Sequence, residues 1–261
     1  MPEAPPEGPG KAPQAWSPQE LARNPHQSSE KAGKVRAMFA SIASSYDLNN
    51  RLHSFGRDQA WRKRAVRLAD IKPGDAVLDV ACGTGDLSEA FMLAGADEVV
   101  GGDFTPEMLD RAREKAQRFP EDRRPSYVHA DAMDLDQPDA RFDVVSIAFG
   151  IRNVTDPAVA IGEFARVLKP GGRLVILEFA EPRFAPVRWA NRLYCSKIMP
   201  WTASLVARDG SGAYQYLPRS IETFLSAAEL ATIVEEAGLR VVEQVSMTLG
   251  VCVATLAVRD D

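Results

Sequence analysis

The sequence predicts an α/β domain: a mostly parallel sheet of seven strands with helices on both faces, an N-terminal helical extension and a helical lid insertion. Two observations carry this. Apolar runs of strand length alternate with segments of helical spacing from Ala76 onward, and glycines stand where the first run turns into its helix. The first strand is Ala76 to Val80, after the Lys72-Pro73-Gly74-Asp75 turn, and its helix covers Leu87 to Leu93. Strands follow at Glu98 to Gly101, Ser126 to His129, Phe142 to Phe149 and Arg173 to Phe179, with helices near Pro106 to Arg118 and Ala158 to Leu168. Lys169 to Gly172 is a tight turn with no chemical role. A helix at Ala227 to Ala237 and strands at Arg240 to Ser246 and Val251 to Val258 close the domain, the last two as antiparallel neighbours.

The flanks differ in composition. Residues 1–33 are rich in proline among Gly, Ser and Gln, which predicts a disordered tail ahead of one domain over 34–261. From Lys34 the spacing of Val35, Met38, Phe39 and Ile42 marks a helical cap that continues, with breaks, to Asp70. Residues 181–220 carry Trp, Tyr, Arg and Pro but no strand signal, the pattern of a lid over the sheet's edge. Val187, Trp189, Leu193, Trp201, Leu205 and Val206 give it apolar surface, with Arg188, Arg192 and Lys197 as charged neighbours suited to anionic lipid head groups.

A net charge of −5 argues against broad phosphate neutralisation, so no nucleic-acid partner is expected. Cys82, Cys195 and Cys252 are odd in number and widely spaced, which indicates neither a disulfide framework nor a metal site. There is no apolar run of the roughly 18 residues that span a bilayer and no signal-peptide pattern. A cytoplasmic protein is expected, with any membrane contact transient and peripheral at the inner face. The sequence leaves a homodimer open.

The loop Asp79-Val80-Ala81-Cys82-Gly83-Thr84-Gly85-Asp86 lets backbone approach a ligand at a helix N-terminus. In a dinucleotide site a third glycine or alanine follows, whereas Ser88 stands there and Asp79 and Asp86 flank the loop. Two carboxylates repel pyrophosphate but suit a ligand bearing an ammonium or sulfonium charge. Asp103, at the end of the second strand, is placed to accept from ribose hydroxyls, and Asp131 and Ala132, after the third, to meet an adenine amino group. Phosphate-loop, serine-hydrolase and zinc-peptidase motifs are all missing. His129, in a buried-looking strand, is read as structural.

Five stretches then carry a resemblance: Phe39 to Trp61, the glycine loop, Ala148 to Pro157 (AFGIRNVTDP), Arg166 to Phe179 (RVLKPGGRLVILEF) and Ala213 to Phe224. In them the chain resembles the class I S-adenosylmethionine-dependent methyltransferases of Rossmann-like fold, and within these the ubiquinone/menaquinone biosynthesis C-methyltransferases. The resemblance implies S-adenosylmethionine as cofactor, held by Gly83, Thr84, Gly85, Asp103, Asp131 and Ala132 with Asp79 supporting its methionine end, and a prenylated quinol as substrate. The chain departs from the family at Ala148, often serine, at Asp58-Gln59, usually His-Arg, and at Thr255, often histidine.

A ring carbon attacks a methyl group only if the ring is electron-rich, as in a quinol ionised at one hydroxyl. Arg152 and Asn153 are expected to stabilise that phenolate and position a water for proton removal, with Tyr46 and Asp47 gating the site or relaying the proton. Other readings stay open: a methyltransferase for another small phenol or amine, a nicotinamide-dependent dehydrogenase, which Asp79 and the missing glycine disfavour, or a non-catalytic cofactor-binding protein.

Overall fold

A computed structural model describes residues 15–199 and 212–260. Its sheet has the order β3-β2-β1-β4-β5-β7-β6. The strands are β1 (Ala76–Val80), β2 (Glu98–Asp103), β3 (Ser126–His129), β4 (Phe142–Ala148), β5 (Leu168–Phe179), β6 (Leu239–Met247) and β7 (Cys252–Arg259). Five run parallel from β3 to β5, and β7 is antiparallel to both β5 and β6. Val77 to Val80 of β1 are all buried, as a central strand covered on both faces requires.

The helices are α1 (Pro18–Leu21), α2 (Lys31–Ile42), α3 (Tyr46–His53), α4 (Arg57–Ala69), α5 (Asp86–Leu93), α6 (Pro106–Ala116), α7 (Pro157–Val167), α8 (Ala185–Leu193), α9 (Ala213–Glu222) and α10 (Ala227–Glu236). On one face of the sheet Ile161 and Phe164 of α7 and Leu230 and Val234 of α10 pack on Leu78, Val80, Val145 and Ile147. On the other, Trp61, Ala65 and Leu68 of α4 and Leu87 and Phe91 of α5 pack on Val77, Val144 and Val175. Local chemistry starts the helices where the chain leaves the sheet. Asp156 accepts from the Ala158 and Val159 amides ahead of Pro157, and Ser226 and Glu229 form a reciprocal capping box for α10.

One expectation needs correction. Residues 15–33 are ordered: α1 and a short 3₁₀ turn, Pro25–Gln27, form a strap in which Trp16 is fully buried and stacks on Tyr216 of α9 at 5.0 Å. A few large apolar anchors offset the ordering entropy that the proline-rich composition implied. Residues 1–14 lie outside the described residues. Lys169 to Gly172 forms the expected turn, with Gly171 at φ of +71° and none of the four residues paired to β4, although strand pairing already begins before it at Leu168.

Candidate active site

The C-terminal ends of β1 to β4 converge on one cleft, where a doubly wound sheet presents its ligands. A first cavity of about 810 Å³ is lined there by Ala81 and Gly83 after β1, Asp103, Ala130 to Met133, and Phe149 and Gly150 after β4, with Val35, Arg36 and Phe39 of α2 on its other side. Gly83 donates its amide to Asp103 Oδ2 and Thr105 to Oδ1, both at 2.8 Å. The carboxylate is thereby aimed by backbone and keeps lone pairs for a ligand, while burial raises its pKa. Asp131 Oδ1 accepts from the Met133 amide at 2.9 Å. Gly85 has φ of +83°, and a Cβ on it would lie 2.3 Å from the Tyr127 hydroxyl, so both conformation and space demand glycine.

The cavity's donor set fits S-adenosylmethionine. Arg36, Asp103 and Asp131 are the charged residues lining it among those described, and Phe104, Met108 and Met133 supply apolar wall. That balance suits a cationic nucleoside better than a pyrophosphate.

A second cavity of about 1090 Å³ lies between the cap helices, α9 and the ends of β4 and β5. Phe39, Tyr46 and Phe149 line both cavities and form the partition between them. Arg152 stands in the second cavity, nearly fully buried; its Nη1 donates to Glu178 Oε1 at 2.7 Å and to the Phe149 carbonyl at 2.6 Å. Asn153 lines the first, donating to the same carbonyl at 3.2 Å and accepting from the Tyr216 hydroxyl at 3.0 Å. Phe149 has φ of +57°, costly for a residue with a side chain, and these two donors help hold its carbonyl in that strained geometry.

The structure brings Gly83, Asp103, Asp131, Ala132, Tyr46, Arg152 and Asn153 together around the two cavities. It does not bring Asp79, Thr84, Gly85 or Asp47 there. Asp79 lies beneath the loop, accepting from Ser88 at 2.6 Å and Ser146 at 2.7 Å, and burial pushes its pKa up to about 6 against those hydroxyls. Asp47 accepts from Thr84 Oγ1 at 2.6 Å and from Lys115 Nζ at 2.8 Å, and Lys115 also meets Asp86. Asp47 therefore latches α3 to the glycine loop and is not among the residues lining either cavity. Tyr46, the residue before it, lines both cavities.

Sequence reasoning missed Glu178, the partner of Arg152, and the buried Asp58–Arg62 pair, whose Nη1 to Oδ2 distance is 3.0 Å. A lone acid in the apolar run Leu174 to Phe179 and opposite charges four apart beside Trp61 were the available signals.

Glycine loop, acids at successive strand ends and an adjoining second cavity define a class I S-adenosylmethionine-dependent methyltransferase. Solved structures share its fold. Magnesium protoporphyrin IX methyltransferase from Synechocystis PCC 6803, with bound SAM, has a TM-score of 0.60 at 19% identity, covering 90% of this chain and 99% of that one. A SAM-dependent methyltransferase from Aquifex aeolicus gives 0.60 at 20% identity, covering 84% and 98%. The model of the ubiE/COQ5 methyltransferase family matches residues 27–259, and the chain belongs to that family. Similar relatives include the demethylmenaquinone methyltransferase of Thermus thermophilus, 47% identical over 78% of this chain and 92% of that protein. The ubiquinone/menaquinone biosynthesis C-methyltransferase UbiE of Photorhabdus laumondii is 40% identical over 85% and 89%.

Proposed function

We propose that the protein methylates a ring carbon of a prenylated quinol, converting demethylmenaquinol to menaquinol or carrying out the equivalent step on a ubiquinone precursor. The observation that carries this reading is the pair of cavities meeting at Phe39, Tyr46 and Phe149, with ligand-accepting acids on one side and a buried arginine on the other. Bound S-adenosylmethionine supplies an electrophilic methyl group. Asp103 and Asp131 hold its ribose and adenine, and the Gly83 backbone allows its close approach. In the second cavity Arg152 offers a fixed guanidinium to a phenolate oxygen, already oriented by Glu178 and needing no reorganisation as charge develops. Asn153, one residue on, lines the first cavity and positions a water at the partition for removal of the ring proton. The partition and the apolar rings of Trp61 and Phe179 exclude bulk solvent, which strengthens each charge interaction within. In cells lacking the protein, mass spectrometry of the quinone pool is expected to show the methylated quinone lost and its desmethyl precursor accumulated. An unchanged quinone profile would reject the reading.

Asn191 of α8 and Tyr194 and Cys195 just after it line the second cavity, and the prenyl tail is assigned to this side of it. No residue of α8 is buried; Trp189 within it, Phe184 at its start and Phe55 against Tyr194 are at least two-thirds exposed. An apolar rim of this kind suits brief contact with a membrane surface. No helix among the described residues is long and apolar enough to cross a membrane. Arg192 is already paired with Glu181 and Glu222, which leaves Arg188 and Lys197 from the expected set to meet head groups. Trp201, Leu205 and Val206 fall outside the described residues, so the lid is tested at Trp189. Trp189→Ser should raise KM for a long-tailed quinol more than for a short-tailed analogue and leave Tm nearly unchanged. Equal loss on both substrates would remove Trp189 from the lid.

A further inference from the structure

Two buried ion pairs reach the second cavity, Arg152–Glu178 through its arginine and Asp58–Arg62 through both partners, and the mechanism above uses the first. Their placement is related. The Arg152 guanidinium stands over the Phe179 ring at 5.3 Å and that of Arg62 over the Phe149 ring at 5.4 Å, while those two rings lie 4.6 Å apart. Each ion pair is thus carried on one member of a single aromatic pair. Asp58, the partner of Arg62, is 4% exposed and lines the cavity. Its Oδ2 accepts from Arg62 Nη1 and Gln59 Nε2, each at 3.0 Å, and its Oδ1 accepts from the Ser54 hydroxyl at 2.7 Å. Oδ1 has room for one more donor. A buried ion pair is seldom stabilising relative to packed apolar side chains, so a pair kept in a ligand cavity calls for a ligand-directed reason.

We propose that Asp58 reads the oxidation state of the substrate ring, accepting a hydrogen bond from the second hydroxyl of the hydroquinone while Arg152 holds the first oxygen. This rests on the quinol reading above. A carboxylate only accepts, and so does each oxygen of the oxidised quinone. The quinone therefore sets lone pairs against lone pairs at a buried carboxylate, whereas the hydroquinone supplies the missing proton. The selection matters because the oxidised ring is electron-poor and, once seated, would occupy the site without reacting. Asp58 is in these terms a specificity-determining residue.

The test uses the full chain with S-adenosylhomocysteine bound, so that no turnover occurs, and three short-tailed naphthalene ligands under anaerobic conditions. These are the hydroquinone, the quinone, and the hydroquinone monomethyl ether blocked at the oxygen remote from the unsubstituted ring carbon. The wild-type protein should bind the hydroquinone about 10-fold or more tighter than either of the others, as loss of a hydrogen bond to a charged group implies. Asp58→Asn, whose amide can donate, should bring the hydroquinone-to-quinone ratio close to 1 by tightening the quinone. Equal wild-type affinities for the three ligands, or a ratio unchanged in folded Asp58→Asn, would overturn the proposal. The ether comparison needs no variant and decides the matter if Asp58→Asn does not fold. Methylation of the hydroquinone without discrimination sinks the proposal alone; no binding and no methylation of any quinol sinks the quinol reading with it.

Discussion

At the scale of single residues, the outcome turned on which way neighbours in sequence point. Asp79 and Val80 are adjacent on β1, and alternation along a strand sends one to the cavity and the other beneath it; Val80 lines the cleft and Asp79 meets two serines. The spacing of acids along the chain showed which strand ends carry them, and so located Asp103 and Asp131, but motif membership does not resolve the facing of each side chain. Arg152 illustrates the same limit, since it stands in the turn after β4 and its partner Glu178 lies on β5. Arg152→Ala is expected to lower turnover on a quinol by ~10²-fold or more with cofactor affinity nearly unchanged. It will also leave Glu178 buried without its cation, at a cost of about 3–5 kcal/mol in stability. The double variant Arg152→Ala with Glu178→Gln separates the two, recovering Tm but not turnover. Recovery of turnover would show that Arg152 acts only by holding the fold.

At the scale of elements, strands and helices of the sheet were legible because hydrophobic period and turn chemistry agree there, and Ser126 to His129 forms as expected. The N-terminal strap was not legible. Its anchors Trp16 and Leu21 have no period, and their partner Tyr216 lies far down the chain, so local composition could not reveal the docking. His26 ties the strap to α9, donating from Nε2 to the Ser220 carbonyl at 2.8 Å, and burial lowers its pKa to about 4. The folded state therefore favours the neutral ring, and the stability this gives is complete above the ordinary value of 6.5 and is lost as pH falls from there toward 4. Asp79 acts with the opposite sign, its raised pKa adding stability as pH falls through about 6. A His26→Gln variant keeps the Asp79 effect and removes the histidine one. Melting curves of the two proteins should diverge below pH 6.5, with the wild type losing Tm faster. Parallel curves would mean that the strap does not bury a neutral histidine.

At the scale of the whole molecule, the fold separates a cofactor cleft at the sheet's strand ends from a larger chamber under cap and lid, and the two share a partition of three aromatic side chains. Sheet order, helical cover and the glycine loop place the cleft; the cap helices and α9 make the chamber, to which the proposed function assigns the choice of substrate. The most direct test of that division of labour is methyl transfer by the purified protein. With S-adenosylmethionine carrying a deuterated methyl group and chemically reduced demethylmenaquinol, mass spectrometry should find the label on the ring carbon of the quinone product, and no labelled product when the substrate is supplied oxidised. Label on oxygen, or no transfer to any reduced quinol while S-adenosylmethionine still binds, would contradict the assignment of the chamber to quinol C-methylation.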